Sequence, residues 1–380
     1  MTVVRWARWL GRPPFYLPYP EQIPALTALL SSSSGPIQIP GDAAVFVTAA
    51  DWHNLLSFAL RALKDGRLEL GQDSAARVSQ EAAVRVLHAR LLRQALPTIV
   101  RILRTRCGVT PVLLKGPGVA DRYYADRTLR PFVDLDLIVP RDSLGAAADA
   151  LRATGYEIEV EYRDGFTQRH GHDVHLVRRD SSQRIDLELH WRVGDDRATS
   201  VLDHAFLYTG SLPLEVEGEQ VLVPRTARQL LVLGAHLLSD RVKRLSWVND
   251  IQLVGRAAND EEWNQAFVDA DQLGLLWILH RALDYARCHL GFDRSRPIPA
   301  GEPPPFGPLR AAEEIYGPAA LHLGRLAGIS WRERAGYLHA VLAPSRAGLE
   351  RTVGADGAPA WRLAVRHLIR GLRLLRRFEE

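Results

Sequence analysis

Four acidic residues and a histidine, alternating along two short runs, are the residues of this chain best placed to do chemistry. The first run is PFVDLDLIVP, where Asp134 and Asp136 alternate with Val133, Leu135 and Leu137. The second is IDLELHW, where Asp186, Glu188 and His190 alternate with Leu187 and Leu189. Alternation at period two is a strand pattern, and residues i and i+2 of a strand project from one face. Asp134 and Asp136 therefore project together while their apolar neighbours face a core. Two carboxylates on one face repel each other unless a cation or solvent relieves them. A divalent ion does so directly, and Mg²⁺ takes a few carboxylates together with substrate phosphate oxygens. If the second strand lies beside the first, a third carboxylate meets the pair, with Glu188 and Asp186 competing for that place. Three carboxylates holding two Mg²⁺ ions can activate a hydroxyl and stabilise a leaving pyrophosphate in an in-line displacement.

A D-x-D pair alone also describes a half-exposed strand, so the surroundings matter. Upstream lies the turn LKGPG, with Lys115 and Gly116. Glycines after a strand let backbone amides approach a phosphate, and Lys115 can meet one as a point charge. The pattern of a P-loop, G-x-x-x-x-G-K-[ST], is absent. Arg130 precedes the pair and can neutralise triphosphate charge or make a surface ion pair.

These residues need a sheet to hold them. VTPVLLKG reads as a short buried strand; a helix containing Val119, Ala120, Tyr123 and Tyr124 follows it. A helix over 142–154, strands over 156–162, 174–178 and 184–192, and a hairpin around Gly218 complete a mixed sheet. Before it, periodicity predicts a helix over 51–64, capped by Asp51 and burying Trp52, Leu55, Leu56, Ala59 and Leu63. A second helix, over 80–106, carries Val84, Leu87, Leu91, Leu92 and Leu96 on its face, and Pro97 kinks or divides it. After the sheet, amphipathic helices are expected over 227–238, 241–256 and 261–271, then a proline-rich connector over 297–308 and further helices. The expected fold class is α+β, divided as a mainly helical segment 1–106, a catalytic unit 107–224 and a helical domain 225–380.

The combination of LLKG, ADRYY, LRPFVDLDLIV and IDLELHWRV resembles the uncharacterised nucleotidyltransferase family, within the nucleotidyltransferase superfamily and its polymerase-beta-like fold. HLLSDRVKRLSWVNDIQLVGR is similar to the helical part of the same group. The resemblance covers 112–256. It implies metal ligation by Asp134 and Asp136, with Glu188, two positions before the His-Trp pair, preferred over Asp186 as third carboxylate. It places Lys115, Gly116 and Arg130 on the phosphate side, and Asp250, with Lys243 nearby, where a nucleotide pocket closes. Many superfamily members have Gly-Gly or Gly-Ser where this chain has Lys-Gly, which bears on how the triphosphate is held. The expected activity is Mg²⁺-dependent transfer of a nucleoside monophosphate from an NTP, ATP by base rate, to a hydroxyl of a small molecule, peptide or protein. Relatives near peptide-modification machinery favour a peptide acceptor.

Composition narrows the alternatives. The chain has 380 residues, 47% hydrophobic and 24% charged, with a formal net charge of +4. Six arginines and two glutamates after Ala360 account for that excess, so the rest is balanced. An RNA-end nucleotidyltransferase would need a continuous basic channel, which this balance disfavours. A nucleotide-binding or regulatory protein without catalysis on the same fold would be favoured by a missing third carboxylate, yet two candidates are present. Cys107 and Cys288 have no ligand spacing and read as buried free thiols. His170, His172 and His175 lack cysteine partners for zinc and read as strand and loop residues facing the cleft. His190 can stack a base, with Trp191 opposite it in the core, and His236 and Trp247 read as packing residues. The final basic helix can lie on a membrane surface, but the favoured reading packs Leu363, Leu368, Leu372 and Leu375 inward with the arginines in water. The N-terminus lacks a signal-peptide pattern and no apolar run is long enough to span a bilayer, so the expected location is cytoplasmic.

Overall fold

A computed structural model describes residues 17–31, 33–159, 166, 169, 171–180, 183–194, 199–239, 244–293, 326, 331–354 and 357–376. Before the sheet come helices α1 (Ile23–Leu30), α2 (Ala43–Trp52), α3 (Leu56–Lys64) and α4 (Gln72–Cys107). Strands β1 (Val112–Leu113), β2 (Leu135–Ile138), β3 (Glu157–Ile158), β4 (Asp173–Asp180), β5 (Gln183–His190), β6 (Ser211–Val216) and β7 (Glu219–Pro224) follow. Between them lie α5 (Pro117–Tyr123), α6 (Leu144–Arg152) and α7 (His204–Thr209). A helical stack continues with α8 (Thr226–Ser239), α9 (Leu245–Ala257), α10 (Asp260–Gln272) and α11 (Leu276–Leu290), and α12 (Trp331–Leu342), α13 (Arg346–Val353) and α14 (Ala360–Arg376) come last.

The strands form one sheet in the order β3-β4-β5-β2-β1-β7-β6. β2 runs parallel to β5 and β1 parallel to β7, while the remaining neighbours are antiparallel. The fold is therefore α+β with a mixed sheet, as the alternation of apolar runs requires. One face of the sheet presents Leu113, Leu135, Leu137, Leu187 and Leu189 to α4 and α6 in a single core. The other face presents Val112, Leu114 and Ile138 to Leu207 of α7 and Val232 of α8. Pleating puts Asp136, one residue from Leu135 and Leu137, on this second face, beneath the helical stack.

Several expectations about the helices change. The helix expected over 51–64 is two helices, broken at Asn54, whose φ of 56° is left-handed. The N-cap is Asp42, whose side chain accepts from the Ala44 amide. Asp51 lies in the last turn of α2 and pairs with Arg85. Trp52, the last residue of α2 ahead of the break, faces outward and is exposed. The helix expected over 80–106 begins earlier and passes Pro97 unbroken. One missing backbone hydrogen bond is outweighed by burial of Leu92, Leu96, Ile99, Val100 and Leu103. Val84 and Leu87 sit on the exposed side of that helix, which extends beyond the sheet it packs on. Both cysteines are free, but Cys107, at the end of α4, is half-buried and Cys288 is exposed on α11. On α14, Leu363 is buried as expected whereas Leu368 is exposed, because the packed side of the helix is the one carrying Leu363. The side chains of Leu372 and Leu375, His170, residues 160–162 and the connector at 297–308 lie outside the described residues. No helix of the described residues is long and apolar enough to cross a membrane.

Candidate active site

The site is built at the ends of β1, β2 and β5. The amide of Leu114 donates to the Asp136 carbonyl at 2.9 Å, which brings the residue after it, Lys115, beside β2. Gly116 has φ 58° and ψ −121°, a backbone state that disfavours any side chain. A Cβ there would also stand 3.6 Å from the Phe132 ring. The turn releases the chain into α5, which packs so closely that a Cβ on Gly118 would lie 3.0 Å from Val223. From α8, Gln229 donates to the Leu114 carbonyl at 2.8 Å and fixes the helical stack over this turn.

Parallel pairing of β2 with β5 sets Asp136 opposite Glu188 and Ile138 opposite His190. Asp136 Oδ1 lies 2.8 Å from Lys115 Nζ and 3.3 Å from His190 Nε2. The same His190 nitrogen lies 3.3 Å from Glu188 Oε2. Asp136 and His190 are buried, while the Glu188 side chain is 31% exposed and reaches the mouth of the site. Burial alone would raise the Asp136 carboxyl, but the Lys115 ammonium and His190 outweigh it and hold it well below the usual carboxylate range. Burial would lower His190, yet its hydrogen bonds to Asp136 and Glu188 raise it to about 10. Burial likewise opposes the Lys115 charge, and Asp136, Glu188 and Asp134 together raise its pKa above the usual lysine value. Asp134 has the opposite fate. Burial, then repulsion from Asp136, pushes its carboxyl up to about 7 against the attraction of Lys115.

The structure distributes the other candidate residues differently. Asp186 shares the face of Glu188 but is engaged at the far side: Arg184 Nε donates to it at 2.7 Å and His175 Nε2 lies 3.1 Å away. His175 also lies 3.1 Å from Glu159, so it belongs to this ion-pair cluster. Arg130 and Asp250 meet each other. Arg130 Nη2 donates to Asp250 Oδ2 at 2.8 Å, and the Tyr124 hydroxyl donates to Oδ1 at 2.6 Å. Asn249 donates to the Tyr124 oxygen, and Gln252 to Asn249. This buried network joins the loop before β2 to α9. Asp134 feels the Arg130 charge as well. Lys243 lies outside the described residues. Trp191 is buried in the sheet core opposite His190, as strand phase predicts.

His236 of α8, which its sequence context presents as a packing residue, places Nδ1 3.4 Å from Lys115 Nζ. Its ring meets Trp247 edge-on at 4.6 Å, and Arg244 lies over that indole at 5.4 Å. No local spacing signals this contact, because His236 and Lys115 come from elements far apart in the chain. Tyr124, Asn249 and Gln252 are polar residues of the buried network for the same reason.

Asp136, Glu188 and His190 each offer one ligand atom, all within 4.8 Å of one another. Two carboxylate oxygens suit a divalent ion such as Mg²⁺ or Mn²⁺, while an imidazole nitrogen suits softer transition metals. Asp134 lies in the bend just before β2 and outside this group of three, close enough for Asp136, Lys115 and Glu188 to act on its charge. The arrangement is thus chemically able to hold a divalent cation against an anionic substrate, with a lysine at its edge.

The comparisons agree with that chemistry. The model of a family described as uncharacterised nucleotidyltransferase matches residues 40–291, more than half of the chain. The chain belongs to this family. The match takes in the N-terminal helices from α2, the whole sheet and the helical stack through α11. No curated protein and no solved structure matches it.

Proposed function

We propose that this member of the nucleotidyltransferase family moves a nucleoside monophosphate from an NTP to an acceptor hydroxyl and releases pyrophosphate. The observation that carries the reading is the in-register pairing of Asp136 with Glu188, which sets two carboxylates and His190 within ligand distance of one another beside a lysine. Asp134, Asp136 and Glu188 would hold the metal, with His190 as a further donor. Mg²⁺ is the expected ion and ATP the first nucleotide to test. When bound, the ion would make the acceptor hydroxyl a better nucleophile and offset phosphate charge. Lys115 adds a fixed positive charge, and Gly116 lets the backbone come close to phosphate without a side chain in the way. Arg130 and Asp250 act on the site by fastening α9 to the loop that carries Asp134. Asp186 serves β5 by holding Arg184 and His175.

The catalytic unit is taken as 107–224, with 1–106 and 225–380 shaping the acceptor and nucleotide sides. A small-molecule, peptide or protein hydroxyl is the acceptor class. Calorimetric titration of ATP with Mg²⁺ tests the reading on the wild type and on Asp134→Ala/Asp136→Ala. Binding to the wild type that is lost in the double variant supports it. No binding to the wild type, or equal binding to both, overturns it.

A further inference from the structure

The positive charge of this chain gathers at one end. Ten arginines, no lysine and five acidic residues lie between Trp331 and Glu380, which leaves the rest of the chain close to neutral. The family match ends at residue 291, so α12, α13 and α14 all lie beyond it. One side of α14 packs on the protein: Leu363 is buried and His367 Nε2 lies 2.9 Å from the Val341 carbonyl of α12. Another side is apolar and open. Trp361, Val365, Leu368 and Ile369 are 63%, 47%, 49% and 42% exposed. Their spacing of i, i+4, i+7 and i+8 makes one stripe of a helix. Arg362 and Arg366, each one position after a member of the stripe, are exposed along its border, and the Arg362 guanidinium lies 5.2 Å from the centre of the Trp361 ring. The sequence keeps the period, with leucines at 372 and 375 and arginines at 370 and 373. On α12, Trp331, Leu338 and Leu342 are exposed as well, but Glu333 stands between Arg332 and Arg334 there, so that helix has no border of a single sign.

We propose that α14 docks the protein on an anionic lipid surface. The partner must satisfy the stripe and its border together. A contiguous apolar face left in water marks a contact surface. A second copy of the chain would bring its own arginine border against this one. A nucleic acid would engage the arginines through phosphates and leave the stripe in water. An anionic bilayer meets both: the apolar stripe enters the boundary between headgroups and acyl chains, and the guanidiniums donate to lipid phosphate oxygens. Trp361, apolar in body with a polar ring nitrogen and a guanidinium over its face, suits headgroup depth. The helix then lies in the plane of the interface, in keeping with the finding that no described helix is long and apolar enough to cross a membrane. The proposal does not depend on the nucleotidyltransferase reading, since α14 lies outside the metal-site elements.

The test is co-sedimentation of the full chain with vesicles of mixed phosphatidylglycerol and phosphatidylcholine, and with vesicles of phosphatidylcholine alone. The wild type should bind the anionic vesicles about tenfold or more tighter than the neutral ones, and the preference should shrink as salt is raised. Arg362→Gln/Arg366→Gln should remove most of that preference. Leu368→Ser/Ile369→Ser should weaken binding to anionic vesicles about tenfold or more. All four side chains are exposed, so these variants should keep the wild-type thermal melt. Leu338→Ser/Leu342→Ser, on α12, should bind anionic vesicles like the wild type; a loss equal to that of the α14 variants would move the contact off α14 and overturn the assignment. A wild type that stays in the supernatant with anionic vesicles overturns the proposal, and binding of an RNA oligonucleotide or concentration-dependent dimerisation in its place would give this face a different occupant. Equal binding to both kinds of vesicle also overturns it.

Discussion

Removing the charge from either end of the Lys115–Asp136 pair should expose how strongly each residue depends on the other. Asp136 is buried and the Lys115 side chain only 14% exposed, with the two charged atoms 2.8 Å apart. Breaking a buried pair by deleting one partner costs about 3–5 kcal/mol, because the surviving charge is left without compensation. Asp136→Asn should fall near the lower end, about 3 kcal/mol. The amide keeps the shape, and Glu188 and Asp134 remain to compensate Lys115. Lys115→Met should cost a similar amount, since His190, 3.3 Å from Asp136, remains to compensate that carboxylate. The double variant leaves neither charge stranded. It should cost much less than the sum, giving a coupling energy of about 2–3 kcal/mol, within the range for contacting residues. Urea denaturation of all four proteins in EDTA measures this cycle. The coupling should persist at about 1 M salt, where exposed pairs are screened within about 3 Å. Additivity of the two substitutions within about 0.5 kcal/mol would refute the reasoning, because Lys115 would then have no energetic stake in Asp136.

Four further outcomes are expected. In metal-free protein His190, raised to about 10, contributes stability that is full below its unfolded value near 6.5 and is lost as pH rises through about 10; denaturation across that window should show the loss, and His190→Gln should flatten it. Gly116→Ala should destabilise by about 1–3 kcal/mol because of its positive φ, whereas Gly145→Ala, in α6 with open space around it, should be neutral or stabilising in the same thermal melt. Arg130→Lys keeps the charge but loses the two-nitrogen grip on Asp250, and should cost about 1–3 kcal/mol in urea. Glu188→Gln should weaken Mn²⁺ binding roughly tenfold or more, while Asp186→Asn should change it less than about threefold, since Asp186 is held by Arg184 and His175; equal losses in calorimetry would mean that Asp186 also serves the metal.

Strand phase was legible in the sequence because it is a local property of the backbone. Alternation in PFVDLDLIVP and IDLELHW is enough to put Asp136 and Glu188 each on the polar side of its own strand, and Trp191 in the core opposite His190. The glycine of the Lys-Gly turn is legible for the same reason, since its φ is set by the immediate chain. Helix limits were less legible. The break at Asn54 and the unbroken passage through Pro97 depend on which faces find a partner, and the N-terminal half of α4 has no sheet beneath Val84 and Leu87.

Only the tertiary structure decided which residues meet. β2 and β5 become parallel neighbours through the intervening β3 and β4, and their register, not their spacing in the chain, pairs Asp136 with Glu188. The choice between Glu188 and Asp186 bears on contacts that no alternation pattern encodes, because Arg184 and His175 engage one of the two. Arg130 and Asp250 are both candidates for a nucleotide pocket when read along the chain; docking of α9 turns them into each other's partner. Lys115 meets His236 through the seating of α8 on the sheet. Local periodicity thus determined which side chains face the same way, while long-range packing of the helical stack determined which charges share a site and how they compensate one another.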